Sequence, residues 1–208
     1  MNPPARSFYE PFHQPRAFRL LSICKEDSQL SCKLNTFTIG EDECPQYKAL
    51  SYTWGSPIYG REEAFASTST ILCNDQPFSV VLNLMDALEQ LRTSGYEGYI
   101  WIDAICIDQQ NVGERNAQVL LMGDIYSSAL EVIIWLGKDT TFLSDVEWLH
   151  NQTSFLAKAW DLVNQSKKYD ARTLLFPING TDETSRELLA RWEGYWRFFE
   201  CRTWFTRA

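Results

Sequence analysis

The chain has 208 residues, 45% hydrophobic and 22% charged, a balance that suits one sizeable globular domain, alone or with an appendage, and excludes a disordered tail or a collagen-like fibre. Twenty-seven acidic residues against 19 basic ones give a formal net charge of -8, so the surface repels a phosphate backbone and no nucleic-acid partner is expected. Eight Trp, nine Tyr and twelve Phe fill a core and leave rings over for a ligand wall or a partner surface.

Four of the eight prolines fall in the first 15 residues, so residues 1–16 read as a flexible leader and order is expected from Ala17. That leader has no continuous apolar run and no later stretch reaches membrane-span length, which predicts a cytoplasmic protein without a membrane span. Phe18 to Cys24 and Leu30 to Phe37 alternate partially and flank a charged stretch, predicting an antiparallel pair at the edge of the fold. Tyr47 to Trp54 is β-prone and stops at Gly55-Ser56-Pro57. Ile71-Leu72-Cys73 and Phe78 to Val81 flank the turn cluster Asn74-Asp75-Gln76-Pro77, the pattern of a small hairpin. Asn83 is then placed to cap a helix whose apolar face is Leu84, Leu88 and Leu91.

Tyr99 to Ile107 is apolar except for Asp103, as in a strand covered on both faces at the sheet centre. Gln118, Leu121, Met122, Ile125 and Ala129 recur at helical spacing within 113–129, and Glu131 to Leu136 reads as another buried strand, ended by Gly137. Strand, helix, strand, helix, strand gives a parallel α/β core. Residues from about 144 to 200 are helical in pattern, with a stripe of Leu188, Leu189, Trp192, Trp196 and Phe199 expected to be a core face that flanks the sheet.

Six cysteines without a Cys-x-x-Cys pair, distant from His13 and His150, argue against a zinc site and for reduced core thiols. Ligands of an open parallel sheet bind where the strands' carboxyl ends empty. There the sequence offers Tyr52, Trp54 and Gly55 from one strand, Asp103, Cys106, Asp108, Gln109 and Gln110 from a second, and Trp135 and Gly137 from a third. Asp103 either ties a loop by accepting backbone N–H groups or faces a ligand. Glu114 is a helix-start charge or a second catalytic candidate. The loop from Gly55 to Glu62 has the glycine spacing of a phosphate loop without its Lys and Ser/Thr, which argues against triphosphate hydrolysis but allows weak diphosphate binding through backbone N–H groups and Arg61. Cys106 lacks the surroundings of a nucleophile.

Tyr47-Lys48-Ala49-Leu50-Ser51-Tyr52-Thr53-Trp54-Gly55, then Trp101-Ile102-Asp103-Ala104-Ile105-Cys106-Ile107-Asp108-Gln109, then Glu114-Arg115 with Gln118, Met122 and Tyr126, then Trp135-Leu136-Gly137 together resemble the fungal heterokaryon incompatibility (HET) domain family. The resemblance covers about residues 17–208 as a single domain. It implies a fungal effector of non-self recognition and programmed cell death, with self-association or another incompatibility protein as partner. More distantly it resembles the TIR domain, a flavodoxin-like fold, which implies a parallel-sheet core with an N-terminal β-hairpin region and a helical C-terminal flank. It also implies NAD as substrate, with Tyr52, Trp54, Gly55, Asp103, Asp108, Gln109 and Gly137 around it, and Asp103 and Glu114 as catalytic candidates. In relatives the segment Arg202 to Arg207 continues to a Gln-Glu pair, so the domain is expected to be truncated at Ala208 and impaired as a glycohydrolase. Asp108 stands where relatives often have Asn. The alternative reading is a non-catalytic signalling module that self-associates.

Overall fold

A computed structural model describes residues 9–24, 29–61, 66–138, 143–151 and 183–206. The chain divides into two compact units, Met1–Gly137 and Lys138–Ala208. The first holds a seven-stranded mixed sheet: β1 (Ala17–Cys24), β2 (Ser31–Thr38), β3 (Tyr47–Ser51), β4 (Thr68–Cys73), β5 (Gln76–Val81), β6 (Tyr99–Trp101) and β7 (Glu131–Ile134), in the order β5-β4-β2-β1-β6-β3-β7. Three helices accompany it: α1 (Leu82–Thr93), the short α2 (Asp103–Cys106) and α3 (Val112–Ser128).

The parallel trio predicted from the apolar runs is present. β3 pairs in parallel with β6 on one side and β7 on the other, with α1 in the first crossover and α3 in the second. Leu84 and Leu88 are fully buried and Leu91 nearly so, as their spacing requires. The hairpin of β4 and β5 turns on Asn74 and Asp75, both with positive φ (49° and 61°), the two-residue turn whose twist matches the strands it joins.

β1 and β2 form the expected antiparallel pair, but not at an edge. β1 is the fourth of seven strands, because β6 pairs with its other side through Leu21↔Ile100 and Ser22↔Tyr99. Ala17 to Leu21 are accordingly all buried, Arg19 included. The strand expected over Tyr99 to Ile107 ends at Trp101. Beyond it the backbone coils into α2, where the N–H groups of Ile105 and Cys106 donate to Ile102 O and the Asp103 carboxylate accepts from Ala104 N. Four consecutive apolar residues suit a buried helical turn as well as a buried strand, and an acid at its first position favours the turn. β7 is an edge strand whose Glu131, Val132 and Ile134 are exposed, whereas a buried strand is the sequence expectation.

α3 is fastened to the sheet by polar bonds as well as packing: Tyr47 Oη donates to Ile125 O at 2.6 Å and Gln118 Nε2 to Ala17 O at 2.8 Å. Trp101 and Tyr126 meet edge to face with ring centroids 5.3 Å apart. The second unit contains α4 (Leu143–Asn151), α5 (Glu183–Glu200) and a 3-10 turn (Thr203–Thr206). The two helices approach closely at Gly194, where a Cβ would collide with the Asp145 carboxylate. Within the expected apolar stripe, the side chains of Leu188, Leu189 and Trp192 lie outside the described residues. Trp196 is 55% exposed, and Phe198 is buried in its place.

Candidate functional site

The two strand exits of β3 and β6 open into a cavity of about 480 Å³. Tyr52 and Trp54 form one wall, Ala104 and Asp108 to Gln110 a second, and β5 with Leu84 a third; Tyr9 closes part of the rim. Asp108 is its only charged lining residue among those described, so the chamber is aromatic and amide-rich with a negative edge.

Asp103 does not project from a strand. Its Oδ2 accepts from Trp54 Nε1 at 2.9 Å and its Oδ1 from Ala104 N at 2.7 Å, while its carbonyl accepts from Gln109 Nε2 at 2.8 Å. One residue thus ties the β3 exit, the first turn of α2 and the cavity-lining Gln109. Asp108 bends its own loop by accepting from Gln110 N and Asn111 N.

The third exit is fastened elsewhere. Asn83 does not cap α1, which begins one residue earlier with Val81 as an N-cap that makes no side-chain bond. Fully buried, Asn83 donates through Nδ2 to Thr53 O at 2.7 Å and accepts from Trp135 Nε1 at 2.9 Å through Oδ1. The amide therefore bridges the ends of β3 and β7, and among the described residues none that follows β7 lines the cavity. Gly137 lies two residues past that bridge with φ of 93°, a turn conformation glycine suits. Gly55 stands at the bend after Trp54, away from the lining. In the phosphate-loop imitation, Ser56 Oγ donates to Ile58 O, folding the segment on itself, and Arg61 is exposed outside the lining.

Glu114 is a buried ion-pair member. Arg19 and Glu114 have side chains 3% and 7% exposed and meet in a two-pronged bond, Nη1 to Oε1 at 2.6 Å and Nη2 to Oε2 at 3.1 Å. Glu114 Oε1 also accepts from Asp108 N, and Arg19 donates further to Cys106 O and Glu10 O. The guanidinium lies over the rings of Tyr9 and Phe12, 4.7 and 4.1 Å from their centroids. Tyr9 Oη in turn donates to Ile105 O, and burial pushes its phenol pKa upward. Sequence reasoning missed Tyr9, Asn83 and the β5 wall. Three aromatic residues within the proline-rich start, Phe8, Tyr9 and Phe12, were the signal available for the first.

Residues 47–208, which carry all of the cavity lining except Tyr9, match the heterokaryon incompatibility protein (HET) family. The chain belongs to the HET family. Over 128 residues, 57% of its length, this HET chain is 39% identical to the protein named heterokaryon incompatibility protein 6, OR allele, of Neurospora crassa. That stretch is 18% of the curated relative, so the chain spans just under a fifth of its length. No solved structure matches this HET chain.

The buried cysteines are packing groups. All six are free thiols; Cys32, Cys73 and Cys106 are buried, and burial pushes the Cys73 and Cys106 thiols up to about 12 and raises that of Cys32. A thiol that rarely ionises is a poor nucleophile, which removes Cys106 as an attacking group. Among the described residues no cluster of His, Cys, Asp and Glu is placed to hold a metal ion, and no helix is long and apolar enough to cross a membrane.

Because these thiols ionise more readily unfolded, from the ordinary value of 9, than folded, near 12, their contribution to stability is complete below pH 9. It is lost as the pH rises from 9 through 12. Urea midpoints are expected to fall steadily across that window, and Cys32, Cys73 and Cys106 to resist iodoacetamide at pH 8 until urea is added. Rapid labelling of the three in the folded chain would contradict their burial.

Proposed function

We propose that this HET chain serves in heterokaryon incompatibility, as an effector of non-self recognition and cell death, and that its cavity receives the nicotinamide end of a dinucleotide. The role follows family membership and the similarity to heterokaryon incompatibility protein 6. The ligand reading rests on one observation: Trp54, 47% exposed at the cavity, is held by its indole N–H on the Asp103 carboxylate. A cationic pyridinium stacks on such a ring and is favoured by nearby negative charge. Gln109 and Gln110 supply amide partners for a carboxamide. With Asp108 the only charge in the lining among the described residues, this reading puts the diphosphate outside the chamber. The trio β6-β3-β7 has the strand order second-first-third with which flavodoxin-like sheets begin, and this supports the TIR-like reading.

In a cleavage of the N-glycosidic bond, positive charge grows on the ribose and a carboxylate beside it lowers the barrier. This reading gives that task to Asp103, whose carboxylate holds the Trp54 indole at the cavity wall. Titrating the chain with NAD, nicotinamide riboside and ADP-ribose, and following the indole N–H resonance of Trp54, tests the pocket. NAD and the riboside are expected to shift it and ADP-ribose to leave it nearly unmoved. A uniform response to all three, or none, removes the nicotinamide assignment.

Asp103→Asn distinguishes a ligand role from loop tying alone. The amide keeps one acceptor where two N–H groups now bind two oxygens, so about 1 kcal/mol of stability is lost. The chain is expected to fold and to bind nicotinamide riboside far more weakly. A variant that binds normally returns Asp103 to a purely structural part.

The second reading, a self-associating module without catalysis, is favoured by a different observation. Leu120 is 85% exposed, with Val119, Leu130 and Ile134 also open to solvent. A concentration-dependent dimer in light scattering, abolished by Leu120→Lys, is its expected signature.

A further inference from the structure

The unit Lys138–Ala208 carries an aromatic recess distinct from the nicotinamide cavity. It has a volume of about 480 Å³ and is lined by Tyr195, Trp196, Phe199 and Phe205 together with one acid, Glu200. The rings do not stack. Tyr195 meets Trp196 at 77° and Phe199 at 65°, and Phe199 meets Phe205 at 72°, with centroids 4.8 to 5.6 Å apart. Near-perpendicular neighbours present faces in different directions, the arrangement of walls and floor. Trp196 is 55% and Phe205 43% exposed, so the ring surfaces reach solvent.

The electrostatics give this apolar recess a sign. An aromatic face is negative, and several faces around one volume attract a cation more strongly than any one of them. Glu200 is the last residue of the 18-residue helix α5, so its carboxylate is added to the negative end of the helix dipole. No cationic side chain lines the recess among the described residues. The unit already uses its rings in this way elsewhere: Arg202 lies over Phe198 at 4.6 Å and Arg191 over Trp148 at 5.3 Å. A primary ammonium gives up strong hydration to enter such a site, and a guanidinium, though more weakly hydrated, brings N–H donors that ring faces satisfy poorly. An alkylated ammonium gives up less and also offers methyl groups to the rings.

We propose that the recess of Tyr195, Trp196, Phe199, Glu200 and Phe205 is a binding site for a quaternary ammonium group, carried by a small molecule or by a trimethylated lysine.

The test sets choline against 3,3-dimethylbutan-1-ol, which has the same shape without the charge, in titrations of the full chain followed by the indole N–H resonance of Trp196. Choline is expected to bind at least about fivefold more tightly than the alcohol. Glu200→Gln should weaken choline by about threefold to tenfold with the alcohol unaffected, and Trp196→Leu, which lacks the reporting indole and is therefore titrated calorimetrically, should remove the binding of both. Circular dichroism of the two variants, both altered at exposed positions, confirms folding. A peptide with trimethyl-lysine is then compared with its unmethylated form. A clear preference for the methylated peptide assigns the group to a protein tail, and choline binding without peptide binding assigns it to a small molecule. Equal affinity for choline and the alcohol, or no response of Trp196 to choline at 100 mM (about the weakest useful range for one such contact), overturns the proposal.

Discussion

Arg19→Ala is expected to destabilise the chain by about 3–5 kcal/mol, enough to leave much of it unfolded at 37 °C. The residue sits mid-strand in β1 with its side chain 3% exposed, and its guanidinium engages Glu114 twice, Cys106 O and Glu10 O. Truncating it strands a buried carboxylate with its main countercharge gone. It also removes the cation over Tyr9 and Phe12. Glu114→Ala should cost a similar amount from the opposite side, and additionally deprive Asp108 N of its acceptor. The paired change Arg19→Met with Glu114→Leu should recover much of the loss, because breaking a buried pair costs more than replacing it with apolar volume. Urea denaturation of the four proteins measures these differences. A single-variant loss below 1 kcal/mol would mean that the pair is hydrated in solution.

Asn83→Ala should lower stability by roughly 2–4 kcal/mol, since it withdraws a buried amide that serves Thr53 O and Trp135 Nε1 at once. Asn83→Asp is expected to be worse than a small polar change suggests. The carboxylate still accepts from Trp135 but turns an oxygen toward the Thr53 carbonyl and buries a charge. Because Thr53 lies between Tyr52 and Trp54, either variant should also weaken ligand binding at the cavity, as seen in the Trp54 indole resonance. Asn83→Ala with wild-type stability would show that the amide fills space and nothing more.

The local parts of this fold were readable. Asn74-Asp75 marks the hairpin turn by chemistry alone, and the spacing of Leu84, Leu88 and Leu91 marks the buried face of α1. The parallel trio follows from strands alternating with helices. What escaped was non-local. Nothing within Ala17–Cys24 announces that its second edge pairs with Tyr99 and Ile100, so an interior strand reads as a peripheral one. Asp103 was placed in a strand because a short apolar run has no period long enough to separate strand from helical turn. Of the proposed ligand residues, Tyr52, Trp54, Asp108 and Gln109 line one cavity and Asp103 braces Trp54 and Gln109, whereas Gly55 and Gly137 stand apart. Asn83 carries a good capping residue type at a helix start, and only the arrival of Thr53 and Trp135, 30 and 52 positions away, redirects it.

Tyr9 closes the rim of the cavity from a segment that precedes every regular element of the sheet, and it is held there by Ile105 O and by the Arg19 cation. Trimming a gene back to its first strand is a common way to improve expression, and for this protein it would remove a gatepost along with the seemingly dispensable prolines. Affinities measured on such a shortened product would describe a wider mouth than the native one.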